Sequence, residues 1–153
     1  MQPLGTLFRR QAAGERGTSL LEFALFLPIL LLLLLGVIDV GRYAEFNIVV
    51  ANAAHAGAQY GAQNLVTAVD TTGIASAAVS DSQNALTAPQ VTTSVLCGCA
   101  ASGLSATCPV TCGSGHPLTY VQVTATGTFN SLFSYVVGVP SSVSKTAEMR
   151  VSD

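Results

Sequence analysis

The sequence contains no tryptophan and has few charged residues. Its low charge argues against functions that need a strongly charged surface. Charged residues make up 9% of the 153 residues, against about 25% in a typical soluble domain. The formal net charge is −2, and no cluster of Lys or Arg follows the N-terminal segment. A nucleic-acid-binding protein needs a basic surface to displace the counterions of the phosphates. Nucleic acid is therefore not an expected partner.

The sequence also lacks the usual signatures of catalytic sites. It contains no glycine-rich phosphate loop, no GxSxG elbow, no HExxH pair and no CxxC redox motif. Its two histidines, His55 and His116, lie in different segments, and no paired carboxylates accompany them. We therefore expect neither enzymatic activity nor a cofactor.

A long apolar run dominates the N-terminal third of the chain. Between Leu20 and Val40, only Glu22 and Asp39 carry charge. About 20 helical residues cross a hydrocarbon core of roughly 30 Å, so this run predicts a single transmembrane helix. A buried helix in a soluble domain would need apolar partners on every side, which so short a chain does not supply. A cleaved secretory signal would be shorter and would end at a small-x-small site.

The basic residues predict the orientation of this helix. Arg9, Arg10 and Arg16 precede the run, with Glu15 as the only acidic residue there. The positive-inside rule places such a segment in the cytoplasm. We therefore expect a bacterial inner-membrane protein with one span, its N-terminus inside and its C-terminal domain in the periplasm or outside the cell.

Glu22 lies inside the start of the apolar run. A charged side chain at the centre of a membrane helix costs about 2.5–3.5 kcal/mol on insertion scales, and less near the interface. Acidic residues at such depth usually have a partner in the assembled state. The alternative is that Glu22 lies at headgroup level and reaches water.

The residues around Glu22 resemble a prepilin-peptidase site of the type IV pilin superfamily: Glu15-Arg16-Gly17-Thr18-Ser19-Leu20-Leu21-Glu22-Phe23. The resemblance implies cleavage after Gly17, which leaves Thr18 as the new N-terminus and Glu22 as the fifth mature residue. Glu22 and Phe23 then become assembly residues. The Glu22 carboxylate of one subunit would neutralise the new α-amine of its neighbour within the bilayer.

Three further segments resemble the TadE-like minor pilins (pseudopilins) of tight-adherence, or Flp, pilus systems: residues 36–42, 53–58 and 146–151. The resemblance implies a structural component of a pilus or of its assembly machinery. It also implies a prepilin peptidase, other pilins or pseudopilins, Tad assembly-platform proteins and the membrane as partners. Two features depart from the pattern. Thr18 is an unusual first mature residue, and Pro28 lies early in the helix, where it removes a backbone hydrogen bond.

The remainder of the chain predicts an α+β fold. Apolar and small residues recur at helical spacing from Phe46 to Tyr60, so the membrane helix is expected to continue outward. This face either packs against other helices or against the chain's own C-terminal domain. A second helix is predicted over 74–86, and strands over 90–96, 119–127 and 142–151. We therefore expect a leader at 1–17, a long helix at 18–64, and a domain at 65–153 with a three-stranded antiparallel sheet.

Four cysteines cluster between the first two predicted strands: Cys97, Cys99, Cys108 and Cys112. An even number of cysteines in an exported segment favours disulfides. Three pairings are possible, and the strain of a Cys97–Cys99 bond favours joining each of those two to Cys108 or Cys112. Zinc with His116 is the alternative, although the C-x-C and C-x3-C spacings fit it loosely.

A second functional hypothesis follows from the cysteines. The chain would be a signal-anchored exported binding module whose disulfide-stapled loop recognises a surface ligand. In that case Glu22 would have no role in assembly.

Overall fold

The computed structural model of the chain describes residues 15–83, 85–87, 90–99, 103–105, 108–113, 116–132 and 140–152. Most of the predicted leader, residues 1–14, lies outside them. The described part has the predicted α+β architecture: a long apolar helix, two short helices and an antiparallel sheet.

Helix α1 spans Glu15–Gly61, a total of 47 residues, which corresponds to a length of about 70 Å. It continues without interruption past the apolar run, as predicted. Leu and Ala dominate its sequence, and both are strong helix formers. Pro28 lies inside the helix, at a depth where apolar spans tolerate proline.

Two short helices follow α1. Helix α2 spans Leu65–Val69 and was not predicted. A capping box starts it: the Asn64 side chain accepts the backbone N–H groups of Val66 and Thr67, each at 2.9 Å. Helix α3 spans Thr71–Asp81, so it begins and ends earlier than the predicted 74–86.

Within the described residues the sheet has four strands, which corrects the prediction of three. They are β1 (Val91–Cys99), β2 (Gly103–Ser105), β3 (Leu118–Thr128) and β4 (Ser142–Arg150), in the order β2-β1-β3-β4. All neighbouring pairs are antiparallel. The three longer strands match the predicted ones. Strand β2 was missed because three residues are too few to show an alternating pattern.

The core lies between the helices and one face of the sheet. Every second residue of β3 from Val121 to Gly127 is buried, as expected for a strand with one covered face. These residues meet a buried set from the helices and from β4: Val50, Ala53, Ala54, Ala58, Ile74, Ala78, Val143 and Ala147. The outward face is polar, and side-chain hydrogen bonds cross it, such as Thr124–Thr146 at 2.8 Å.

Candidate functional site

The N-terminal half of α1 has almost no contact with the rest of the chain. Its large apolar side chains from Leu20 to Val40 are exposed, apart from the half-buried Leu35. Among the described residues, one helix, Gly17–Gly61, is long and apolar enough to cross a membrane. So much exposed apolar surface on one helix is typical of a membrane anchor or a signal segment.

The predicted processing and assembly residues lie on the first turns of this helix. Gly17, Thr18 and Glu22 are exposed, and Phe23 is 61% exposed. Nothing lies within 4 Å of the position that a Cβ on Gly17 would occupy. The described part of the fold therefore leaves this segment uncovered. Cleavage after Gly17 and a pairing role for Glu22 stay predictions.

Asp39, at the outer end of the apolar run, is fully buried although it is charged. Its carboxylate accepts hydrogen bonds from the Ser131 hydroxyl and from the backbone N–H of Leu132, the latter at 3.3 Å. Arg42 Nη1 pairs with the same carboxylate at 3.3 Å. Asp39 therefore ties α1 to the loop that follows β3.

An aromatic cluster surrounds this contact. The ring of Phe129 packs edge-on against Tyr43, with ring centroids 5.4 Å apart, and against Phe46 at 5.7 Å. The Arg42 guanidinium carbon lies 5.6 Å from the centre of the same ring, within the range of a cation–π interaction. We call Asp39, Arg42 and the segment Phe129–Leu132 the junction, since they join the apolar half of α1 to the domain.

A groove of about 700 Å³ opens beside the junction. Three segments line it: α1 between Arg42 and Asn52, the turn after α3, and the end of β3. Its charged lining residues are Arg42, Glu45 and Asp81. The groove has a mixed, mostly polar surface, and within the described residues no cluster of His, Cys, Asp or Glu there or elsewhere is arranged to hold a metal.

The small-residue face of the outer half of α1 packs against the chain's own domain. Ala53, Ala54 and Ala58 belong to the core. A Cβ on Gly57 would lie 3.1 Å from Cγ1 of Val123, so the helix and β3 are in close contact there. Of the two alternatives left open by the sequence, the structure therefore selects the intramolecular one for this face.

At the far end of α1, Asp70 holds three segments together. It caps α3 by accepting the Gly73 N–H at 2.9 Å, and it accepts the Tyr60 hydroxyl at 2.9 Å. The Gly73 N–H, followed by the Tyr60 hydroxyl, holds the pKa of Asp70 below its ordinary value. The hydrogen bond to Asp70, followed by the negative charge of that residue, raises the pKa of Tyr60.

Two disulfides join β1 to the segment before β3. Cys97 bonds Cys108 and Cys99 bonds Cys112, so each partner of the C-x-C pair joins one later cysteine, as preferred from the sequence. This pairing leaves none of the four thiols for the zinc alternative. The stapled segment lies at the opposite end of β3 from the junction, because Cys97 pairs with Thr119 whereas Phe129 follows the last residue of β3.

These features place two kinds of surface on one helix: an exposed apolar half and an outer half packed into the core. Residues 17–59 match the model of the TadE-like protein family. The predicted resemblance to TadE-like proteins is thereby confirmed. No match was found among curated proteins or among solved structures.

The TadE-like segment contains the predicted residues Gly17, Thr18, Glu22 and Phe23, and it ends two residues before α1 does. The disulfides lie outside it. The fold does not bring the cysteines and Glu22 together, since they lie at opposite ends of the molecule. The role of Asp39 was missed from the sequence, which shows only an acid at the end of an apolar run with an Arg three residues later.

Proposed function

We propose that the chain is a TadE-like pseudopilin, a structural rather than catalytic component of a Tad (Flp) pilus or of its assembly machinery. It is made as a precursor, cleaved after Gly17 by a prepilin peptidase, and held in the inner membrane by α1. The N-terminus faces the cytoplasm and the domain faces outward. The observation that carries this proposal is the family match to residues 17–59, which begins at Gly17.

The exposed half of α1 supports an assembly role. Apart from the half-buried Leu35, its large apolar side chains are left exposed by the described residues of this chain, so lipid or neighbouring subunits must cover them. Neighbouring pilins and the Tad assembly platform are the proposed partners there. The outer face of small residues is already covered by the domain, so helix–helix contacts with other subunits are confined to the remaining surface.

The proposed pairing of Glu22 also sets a geometric requirement. Thr18 and Glu22 are four residues apart, which corresponds to about 6 Å along a helix. A contact between the new amine of one subunit and Glu22 of the next therefore requires an axial offset of about 6 Å between their helices at this step. The two opposite charges would offset each other's desolvation in the bilayer.

Intact-mass measurement tests the processing step. The full chain is purified from a host with the prepilin peptidase and from one without it. We expect the loss of residues 1–17 only in the first sample. Retention of the leader in both samples would contradict cleavage after Gly17.

Substitution of Glu22 tests the assembly step. Glu22→Ala leaves the new amine unpaired, so we expect cleavage to continue while the amount of the chain in the sheared pilus fraction falls at least about tenfold, the equivalent of about 1.4 kcal/mol. Glu45→Ala is the matched control, because Glu45 is an exposed acid on the same helix beyond the apolar run. An equal yield for Glu22→Ala and Glu45→Ala would refute the pairing.

A second candidate is the exported binding module with a disulfide-stapled recognition loop. It is favoured by the two disulfides, which hold a loop at the end of β3 away from the junction. The loop and the junction lie at opposite ends of β3, whose ten residue steps correspond to a length of roughly 33 Å. Under this alternative, Glu22→Ala changes neither pilus yield nor export, while deletion of the stapled loop abolishes ligand binding.

A further inference from the structure

In the described part of the loop after β3, residues 129–132, one large apolar side chain is left exposed by the domain. Leu132 is 62% exposed, although its backbone N–H is bonded to the buried carboxylate of Asp39 at 3.3 Å. Nearby in the same loop, Phe129 is buried against α1. The exposure of Leu132 therefore contrasts with the burial of Asp39 and Phe129, the two buried residues of the junction.

The position of Leu132 along the molecule is fixed by that hydrogen bond. The run of exposed large apolar residues on α1 extends from Leu20 to Val40, and Ile48 is a single exposed apolar residue beyond it. The 21 helical residues of the run span about 30 Å, the thickness of a hydrocarbon core. Asp39 lies at the outer limit of this span. Leu132, bonded to Asp39, therefore lies at the level where hydrocarbon gives way to headgroups.

The positive charge of the neighbouring Arg42 side chain also fits a position at the boundary between hydrocarbon and headgroups. The Arg42 side chain is 44% exposed and stands one turn beyond Ile38 on α1. Arginine at a membrane interface extends its charged group toward the phosphates while its aliphatic part stays in the apolar layer. An apolar side chain next to a half-exposed guanidinium is the composition expected of a surface that contacts phospholipid.

We propose that the junction is a membrane-contact surface, with the Leu132 side chain inserted at the hydrocarbon boundary and Arg42 at the level of the lipid phosphates. The contact continues the lipid-facing surface of α1 onto the domain. It gives the domain a second attachment to the bilayer, beyond the covalent link through α1, and so restricts its tilt. This proposal requires insertion of α1 but neither cleavage after Gly17 nor incorporation into a pilus.

The absence of tryptophan from the sequence allows a direct test by fluorescence. The full chain is reconstituted into vesicles of phosphatidylethanolamine and phosphatidylglycerol, with single variants Leu132→Trp, Leu34→Trp and Leu65→Trp. Leu34 lies within the apolar run, and Leu65, which is 54% exposed on α2, is the matched control far from the junction. Lipids brominated near the headgroup end of the acyl chain serve as the quencher.

We expect the Leu132→Trp variant to show blue-shifted emission and to lose most of its fluorescence to the brominated lipids, as Leu34→Trp does. The Leu65→Trp variant should keep the emission of a water-exposed tryptophan and should be quenched by aqueous iodide instead. The Asp39 contact is made by the backbone of residue 132, so the substitution leaves it in place.

Two results would overturn the proposal. Quenching of Leu34→Trp by brominated lipid without quenching of Leu132→Trp would show that the domain stands clear of the membrane. Quenching of neither would refute membrane insertion as well. The processing proposal is judged separately, by the mass measurement.

Discussion

Replacing Asp39 by alanine removes the carboxylate that ties α1 to the loop after β3. Two hydrogen bonds from the loop reach it, and bonds to a charged acceptor contribute about 1.5–3 kcal/mol each. The ion pair with Arg42 adds little, because the Arg42 side chain is 44% exposed and solvent screens the pair from that side. Desolvation of the carboxylate offsets part of the gain. We therefore expect Asp39→Ala to lower the free energy of unfolding of the domain by about 2–4 kcal/mol.

The assay is pulse proteolysis of the full chain in micelles across a urea series, which reports unfolding of the domain while α1 stays in the micelle. Asp81→Ala is the matched control: Asp81 is an exposed acid in the last turn of α3, and its removal should change stability by no more than about 0.5 kcal/mol. A double-mutant cycle with Ser131→Ala should give a coupling energy above about 0.5 kcal/mol. If Asp39→Ala falls within the range of the control, the junction does not stabilise the domain and the reasoning fails.

Two further predictions concern the domain itself. Gly127→Ala places a Cβ 2.6 Å from Cζ of Phe46, so it should lower the free energy of unfolding by about 1–3 kcal/mol through overpacking. Gly113→Ala is the control: nothing lies within 4 Å of its Cβ position, so it should leave the urea midpoint unchanged. Equal midpoints for the two variants would disprove the close contact. Because the pKa of Asp70 is lowered in the folded chain, its carboxylate contributes to the free energy of unfolding. This contribution is fully present above pH 3.8, the ordinary pKa of the group, and is lost as the pH falls below that value. Thermal melting between pH 7 and pH 3 should show this loss, and Asp70→Asn should reduce it; an unchanged acid profile in that variant would contradict the assignment.

The sequence predicts those elements whose pattern is long enough to be periodic. The apolar run and the recurrence of small residues from Phe46 onward were sufficient to predict the long helix α1. Alternation of Val with Thr was sufficient to predict β3, and the residues of β3 that face the core are the alternate ones, as that pattern predicts. The disulfides followed from compartment and spacing, because a C-x-C pair bonds more easily to distant cysteines than to itself.

The features that escaped prediction depend on contacts distant in sequence or on very short segments. Strand β2 exists because it pairs with the end of β1, and helix α2 because Asn64 caps it. The burial of Asp39 depends on Ser131, which is 92 residues away. In the sequence, an acid at this place suggests the end of a membrane span and an exposed charge. Only the folded loop turns it into a buried acceptor.

The two halves of α1 are under different constraints, and the TadE-like match to residues 17–59 covers most of both halves. The half before Asp39 is apolar on all sides, and apart from the half-buried Leu35 its large apolar side chains are exposed. The outer half must carry small residues on one side, because a Cβ on Gly61 would lie 3.0 Å from Val121 and one on Gly57 3.1 Å from Val123. Asp39 marks the change from one constraint to the other.

A rotation of α1 about its axis would move the small residues away from the sheet and Asp39 away from its loop at the same time. The domain therefore fixes the rotation of α1 about its axis, and the side of the helix that stays exposed is determined by the same packing that forms the core.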